Sequence, residues 1–132
     1  MLCKIGDVEV WRILEMNGPF REAETLFPTA GPDVARVMEG EAAGQIDSAT
    51  GRVILPVQGF LLKTPDHVVL VDACVGNHKT MPSFDDWNMR DDGRFMAALT
   101  AAGVHVEDVD YVFCTHLHVD HIGWNTQLVD GR

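Results

Sequence analysis

The sequence predicts an α/β fold, a mixed β-sheet with helices packed on one face. Three observations predict it. Apolar runs rich in β-branched residues recur at 8–15, 53–62, 68–71 and 111–114. Between the last two lie Phe95, Met96, Leu99 and Ala102, spaced as one face of a helix. The order is therefore strands first, then strand–helix–strand, which suits a mixed sheet. The 132 residues are one domain's worth at most, and enough for an independent core.

Taken in order, Val8 to Glu15 nearly alternates, with apolar residues at 8, 10 and 13/14, and reads as a strand. Asn17-Gly18-Pro19 has turn chemistry and should end it. Phe20 to Gly51 is polar and rich in small residues, a long excursion from the core. Its one helical candidate is Pro32 to Met38, with Pro at the first position and Asp33 in the first turn. Long loops of this kind are often lids or binding loops, and a purely decorative insertion fits equally well. Val53 to Leu62 reads as a strand bent at Pro56 and Gly59. Thr64 to His67 is a turn, and Val68 to Val71 a continuous run, expected to be buried on both faces. A polar loop follows from Gly76 through Asp92. The helix at 95–102 should stop at Gly103. Tyr111 to Cys114 is expected to be a second buried strand.

Charge narrows the partners. Ten Lys and Arg against twenty Asp and Glu give a net charge of −10. That argues against a nucleic-acid backbone or an anionic membrane surface as the main partner. The first residues carry no basic stretch leading into an apolar one, and no window approaches 18 uninterrupted apolar residues. Cys3, Cys74 and Cys114 are odd in number and far apart, with no CxxC spacing. A disulfide framework is not expected, and a cytoplasmic location is. Cys74 and Cys114 read as small buried hydrophobes rather than reactive thiols.

The segment from Thr115 to His121 is where chemistry concentrates. Four of its seven residues, His116, His118, Asp120 and His121, are good metal ligands, and they follow an apolar strand directly. Residues two apart in an extended chain point to one side, so His116 and His118 can converge on one cation. Leu117 and Val119 alternate with them and should anchor the loop to the core. Asp120 and His121 come where the backbone turns, and can aim at a second point nearby. Clustered imidazoles lose hydration and repel one another when protonated, so packing alone is a poor reason to keep three of them together. Mixed imidazole and carboxylate donors suit Zn²⁺, and also Fe or Mn.

His116-x-His118-x-Asp120-His121 after a hydrophobic strand resembles the HxHxDH signature of the metallo-β-lactamase-fold hydrolases. Val71-Asp72-Ala73-Cys74-Val75-Gly76-Asn77 resembles that family's earlier strand ending in Asp. Thr115 through Asn125, with Gly123-Trp124-Asn125, resembles its lactonase-like and organophosphate-hydrolase-like branch. The resemblance runs from about Val8 to Arg132. It implies the N-terminal half of an αββα sandwich. It further implies that His116 and His118 ligate a first metal and Asp120 and His121 a second, two Zn²⁺ in a complete site. Asp72 would orient the ligand loop by hydrogen bonds, and Gly123 would allow a tight turn. Trp124 reads as a core aromatic, with a pocket wall as the alternative. The implied reaction is hydrolysis of an ester, lactone or phosphoester-type bond in a small-molecule substrate by metal-bound hydroxide. Asp120 would act catalytically, passing a proton to the leaving group. Phe20, Leu26, Phe27 and Met38 of the excursion could supply an apolar wall for substrate, and core contact explains them as well.

The resemblance also implies ligands that this sequence does not supply. After His121 come eleven residues with no His, and Asp130 is too near the motif to match the bridging carboxylate. His67, His78 and His105 match no ligand position and read as loop residues. Gln127 to Val129 reads as a strand entering Asp130-Gly131, a hairpin-turn pair that wants a returning strand. The whole chain, 1–132, is therefore expected to be one partial domain, inactive alone, lacking its C-terminal half. The competing expectations are a non-catalytic metal-binding fragment, a self-associating half-domain in a homo-oligomer, and an interaction module that keeps the motif by descent only.

Overall fold

The computed structural model describes residues 1–31, 33–41 and 44–131. The fold is α/β. Five strands form one mixed sheet, in the order β1-β2-β3-β4-β5. They are β1 (Cys3–Ile5), β2 (Val8–Glu22), β3 (Arg52–Lys63), β4 (Val68–Val71) and β5 (Tyr111–Phe113). The helices are α1 (Ala23–Leu26), α2 (Val34–Glu41), α3 (Arg94–Ala101) and α4 (Val119–Ile122). No helix among the described residues is long and apolar enough to cross a membrane.

The chain divides into two compact units, and β2 and β3 each carry residues of both. The first unit comprises Met1–Glu15 and the chain from Val57 onward. It opens with a hairpin that the sequence reading missed. Cys3 pairs with Val10 and Ile5 with Val8, leaving Gly6-Asp7 as a two-residue loop. Gly6 has φ +58°, the positive φ that such a loop asks of its first residue. β3 and β4 are antiparallel, Phe60 opposite Val71. Gly59 comes next along β3, where a Cβ would lie 2.1 Å from the Asp72 carbonyl oxygen. Only glycine allows β3 to pass that close to the end of β4.

β4 and β5 are parallel, Leu70 beside Val112, and α3 lies in the chain between them. Phe95 and Leu99 are the buried residues of α3, as their spacing predicts. They line a cavity of about 240 Å³ with Leu70 and Val112, so α3 faces the β4–β5 strip. Gly103, with φ +71°, ends the helix. Its amide donates to Thr100 O, and the Val104 amide donates to Leu99 O, the paired bonds of a Schellman stop.

Three expectations about this unit need correction. β5 is not buried: Tyr111, Val112 and Phe113 are 56%, 47% and 62% exposed. It is the last strand in the sheet order, so one edge has no strand beside it among the described residues. β4 buries only Leu70 well, its other residues being half-buried. Residues 127–129 do not form a strand, because no neighbouring strand bonds to them among the described residues. Asp130 and Gly131 do take positive φ, +50° and +79°, as a hairpin turn of that sequence requires.

The second unit is Met16–Pro56. β2 does not stop at Asn17-Gly18-Pro19 but runs on to Glu22. β1 covers only Val8–Val10, so the rest of β2 is an edge strand, where proline is tolerated. The excursion is not a bare loop. Ala23, Val34 and Val53 form a small buried cluster, with Leu26, Met38 and Ile46 packed on it. Leu26 and Met38 thus belong to this unit's own core and not to a substrate wall; Phe27 is exposed and Phe20 half-buried. The turn that closes the unit is held by Asp47, whose carboxylate accepts from the Thr50 amide at 2.9 Å and the Thr50 hydroxyl at 2.6 Å. Of the expected helix at 32–38, Pro32 lies outside the described residues, and the helix runs Val34–Glu41.

Candidate metal centre

The centre is built where two chain segments leave the parallel pair β4–β5. After β4 the backbone takes left-handed φ at Asp72 (+62°) and Cys74 (+49°). Non-glycine residues held so cost on the order of 1 kcal/mol or more each, and they persist only where surrounding bonds fix them. Those bonds are present. The Asp72 amide donates to Phe113 O at 2.9 Å, and the Ala73 amide to His121 O at 2.8 Å. The Gly123 amide donates to Cys74 O at 2.7 Å, and the Trp124 amide to Ala73 O at 2.8 Å. The loop after β4 and the end of the histidine-rich segment are thus laced together along their backbones.

Two glycines let them meet. A Cβ on Gly123 would lie 1.8 Å from Val75 O, and one on Gly76 would lie 2.7 Å from the Gly123 backbone. Gly123 itself has ordinary helical dihedrals, φ −61° and ψ −48°. Its role is close approach, then, and not the tight turn the sequence suggests.

Asp72 is buried and its carboxylate works toward the histidine-rich segment. It accepts from the Thr115 amide at 2.8 Å and from the Thr115 hydroxyl at 2.8 Å. The amide is on Oδ1 and the hydroxyl on Oδ2, and His121 Nδ1 also lies 2.8 Å from Oδ2. Burial pushes the Asp72 carboxyl up, but the bonds from Thr115 and His121 outweigh it and hold it below the usual carboxylate range. An ionised Asp72 on Nδ1 selects the His121 tautomer whose Nε2 carries the free lone pair.

The three imidazoles meet. The His116 and His118 ring centres are 4.7 Å apart and edge-on, and those of His116 and His121 are 3.9 Å apart. Extended-chain alternation thus brings His116 and His118 together, as the sequence suggests. Asp120 and His121 lie on α4, and the His121 ring packs against that of His116. Asp120 Oδ2 lies 3.5 Å from His121 Nε2. Two donors of one tetrahedral zinc, each at its usual bond length, are separated by roughly 3.3 Å, so this pair fits a divalent cation. Among the described residues, no three His, Cys, Asp or Glu side chains already present their donor atoms as a formed cage. What stands in place is a pair of matched donors with two further imidazoles beside it.

Leu117 and Val119 do not anchor the loop: Leu117 is 79% exposed and Val119 is exposed as well. The anchoring comes instead from Asp72 and the backbone lacing. Cys74 is fully buried, and burial, with Glu15, Asp72 and Asp120 near it, pushes its thiol far up, so it stays protonated and inert. His67, His78 and His105 are exposed, as expected. The residues that sequence reasoning missed are Glu15 and Gly76. Their partners lie far along the chain, and no local pattern marks them.

The model of the Metallo-beta-lactamase superfamily matches residues 53–131, more than half of the chain. The chain belongs to this superfamily. No curated protein matches it. Among solved structures it is similar to a probable metal-dependent hydrolase from Staphylococcus aureus, with TM-score 0.71 and 22% identity over 92% of this chain and 42% of that one. It is similar to the hydrolase AbOPH of the beta lactamase superfamily, with TM-score 0.63 and 22% identity over 91% and 36%. It is also similar to AidC, a dizinc quorum-quenching lactonase in complex with a product, N-hexnoyl-L-homoserine, with TM-score 0.71 and 17% identity over 98% and 41%. At these identities the likeness is one of fold. The superfamily chain described here spans about two fifths of the length of those structures.

Proposed function

We propose that this chain carries one half of a metal-dependent hydrolase site, with His116, His118, Asp120 and His121 as ligands and Asp72 as the group that orients them. The observation that carries the reading is the convergence of three imidazoles, one of them set by an ionised Asp72 on Nδ1 and facing Asp120 on Nε2. When bound there, divalent cations such as two Zn²⁺, or Fe or Mn, supply Lewis acidity and make hydroxide available near neutral pH. Asp72 holds the Nδ1 proton of His121 and keeps Nε2 free. The Thr115 hydroxyl, 3.1 Å from His116 Nδ1, does similar work for that ring. Asp120 has an oxygen near the centre and can carry a proton toward a leaving group. AidC is described as a lactonase and AbOPH as a hydrolase, which supports a lactone or ester substrate; phosphoesters rest on the resemblance of Thr115 through Asn125 alone.

The chain spans about two fifths of the length of the solved structures it is similar to. The complete activity is therefore assigned to this half together with a C-terminal half. A panel of a lactone, an ester and a phosphotriester tests this, with zinc supplied. Hydrolysis is expected from a form extended beyond residue 132, abolished by chelation, and not from the 132 residues alone. Failure of the zinc-loaded extended form on all three substrates would refute the reading.

A second reading, a non-catalytic half that self-associates, is favoured by the exposed apolar edge strand β5. It predicts a concentration-dependent dimer in gel filtration; a monomer at every concentration removes it. The three free cysteines support placing the protein in the reducing cytoplasm.

A further inference from the structure

We infer that Glu15 of β2 is a positioning residue for the metal centre, acting from behind the ligand loop. The inference rests on the metal-site reading above. Glu15 is a carboxylate with 1% exposure in a chain where the only other buried charged side chain among the described residues is Asp72. It is fully engaged. One oxygen accepts from the Val75 amide at 2.9 Å. The other accepts from the Gly76 amide at 3.2 Å and from Trp124 Nε1 at 2.7 Å.

These partners are the two segments that meet at the Gly76–Gly123 contact. Val75 and Gly76 lie in the loop that Asp72 begins. Trp124 sits three residues after His121, stacked on Phe95 at 4.9 Å. Asp72 grips the histidine-rich segment at its front, through Thr115 and His121. Glu15 grips both segments at their rear, 60, 61 and 109 residues away in sequence. With both ends fixed, the backbone carrying His121 has little freedom to shift relative to Asp72.

The chemistry of the site demands a carboxylate. All three partners are N–H donors, so both oxygens must accept. A glutamine offers one acceptor, and its amide nitrogen would face an N–H donor, leaving a buried donor unsatisfied. An isosteric Glu15→Gln change therefore loosens the rear grip without opening a cavity.

The test uses Co²⁺, which reports its ligand geometry in the visible spectrum, added to the 132-residue chain. Affinity is measured by titration well below the melting temperature. Glu15→Gln is expected to bind Co²⁺ about 10- to 100-fold more weakly, the usual effect of losing an outer support, with an altered spectrum. Leu61→Ala, a core truncation in β3, is the stability control. It should lower the melting temperature yet keep the native Co²⁺ affinity and spectrum. Unchanged Co²⁺ binding in Glu15→Gln overturns the assignment, as does an equal loss in Leu61→Ala. If Glu15→Gln does not fold, Trp124→Phe carries the test, since it keeps the ring against Phe95 and removes one donor. Several-fold weaker Co²⁺ binding is then expected, and unchanged binding overturns the inference. Absence of Co²⁺ binding in the unaltered chain would instead refute the metal-site reading itself, and this inference with it.

Discussion

His121 and Trp124, at the far end of the histidine-rich segment, exchange backbone hydrogen bonds with Ala73, and Gly123 between them bonds to Cys74. Leu117 and His118, at the near end, stand out in solvent, and His118 meets the cluster through its ring against His116. The end of the segment is laced through its backbone and its start is held at Thr115 by Asp72, so Leu117 and His118 between them form the exposed stretch. The laced end holds the pair Asp120–His121, and the exposed stretch carries His118. Part of this site thus rests on backbone contacts made far along the chain, and part on side chains in an exposed stretch.

The largest effect should come from breaking the anchor itself. Gly123→Ala drives a Cβ into Val75 O, a backbone clash that no side-chain movement relieves. A loss of about 3 kcal/mol in urea unfolding is expected. A loss below about 1 kcal/mol would mean that the two segments separate easily, and the contrast between the ends would vanish. Asp72→Ala comes next. It leaves the Thr115 amide and the His121 Nδ1 side without their buried acceptor, a cost of about 2–3 kcal/mol. Differential scanning calorimetry with and without zinc should show both lower stability and weaker stabilisation by zinc.

A smaller, pH-limited effect is expected at Asp92, at the start of α3. Burial pushes its carboxyl up, but Arg94 and Arg90 outweigh this and hold it below the usual range. A carboxyl lowered in the folded state adds stability above its unfolded pKa and loses it as the pH falls through the folded value. Asp92→Asn should therefore lower the melting temperature at neutral pH, with the difference from the unaltered protein shrinking as the pH falls below the usual carboxylate range. A difference that persists unchanged at low pH would contradict the ion-pair account. The smallest effect belongs to the exposed stretch. Leu117→Ser, at an exposed position, should shift stability by no more than about 0.5 kcal/mol. A larger loss would restore Leu117 as an anchor.

Much of this was legible in the sequence, and the exceptions share a cause. β3, β4, β5 and α3 follow from apolar runs, helical spacing and a glycine stop, all of which are local. The convergence of His116 and His118 follows from alternation, and Asp72 from its resemblance to a strand-end motif. Burial is not local. Tyr111 to Phe113 form an apolar strand wherever they sit, but whether they are covered depends on what stacks beside them. Gly76, Gly123 and Glu15 matter because of partners tens of residues away, and a glutamate within a strand carries no mark of three buried donors. The small core of Met16–Pro56 was missed because its apolar residues are few and scattered between polar ones.

The central claim is that this one segment gathers a divalent cation. Zinc content after dialysis measures it most directly, comparing the unaltered chain with the His116→Ala/His118→Ala double variant, both confirmed folded by circular dichroism. The account predicts zinc retained by the first and lost by the second. Equal zinc in both, or none in the unaltered chain under zinc-replete conditions, would contradict it.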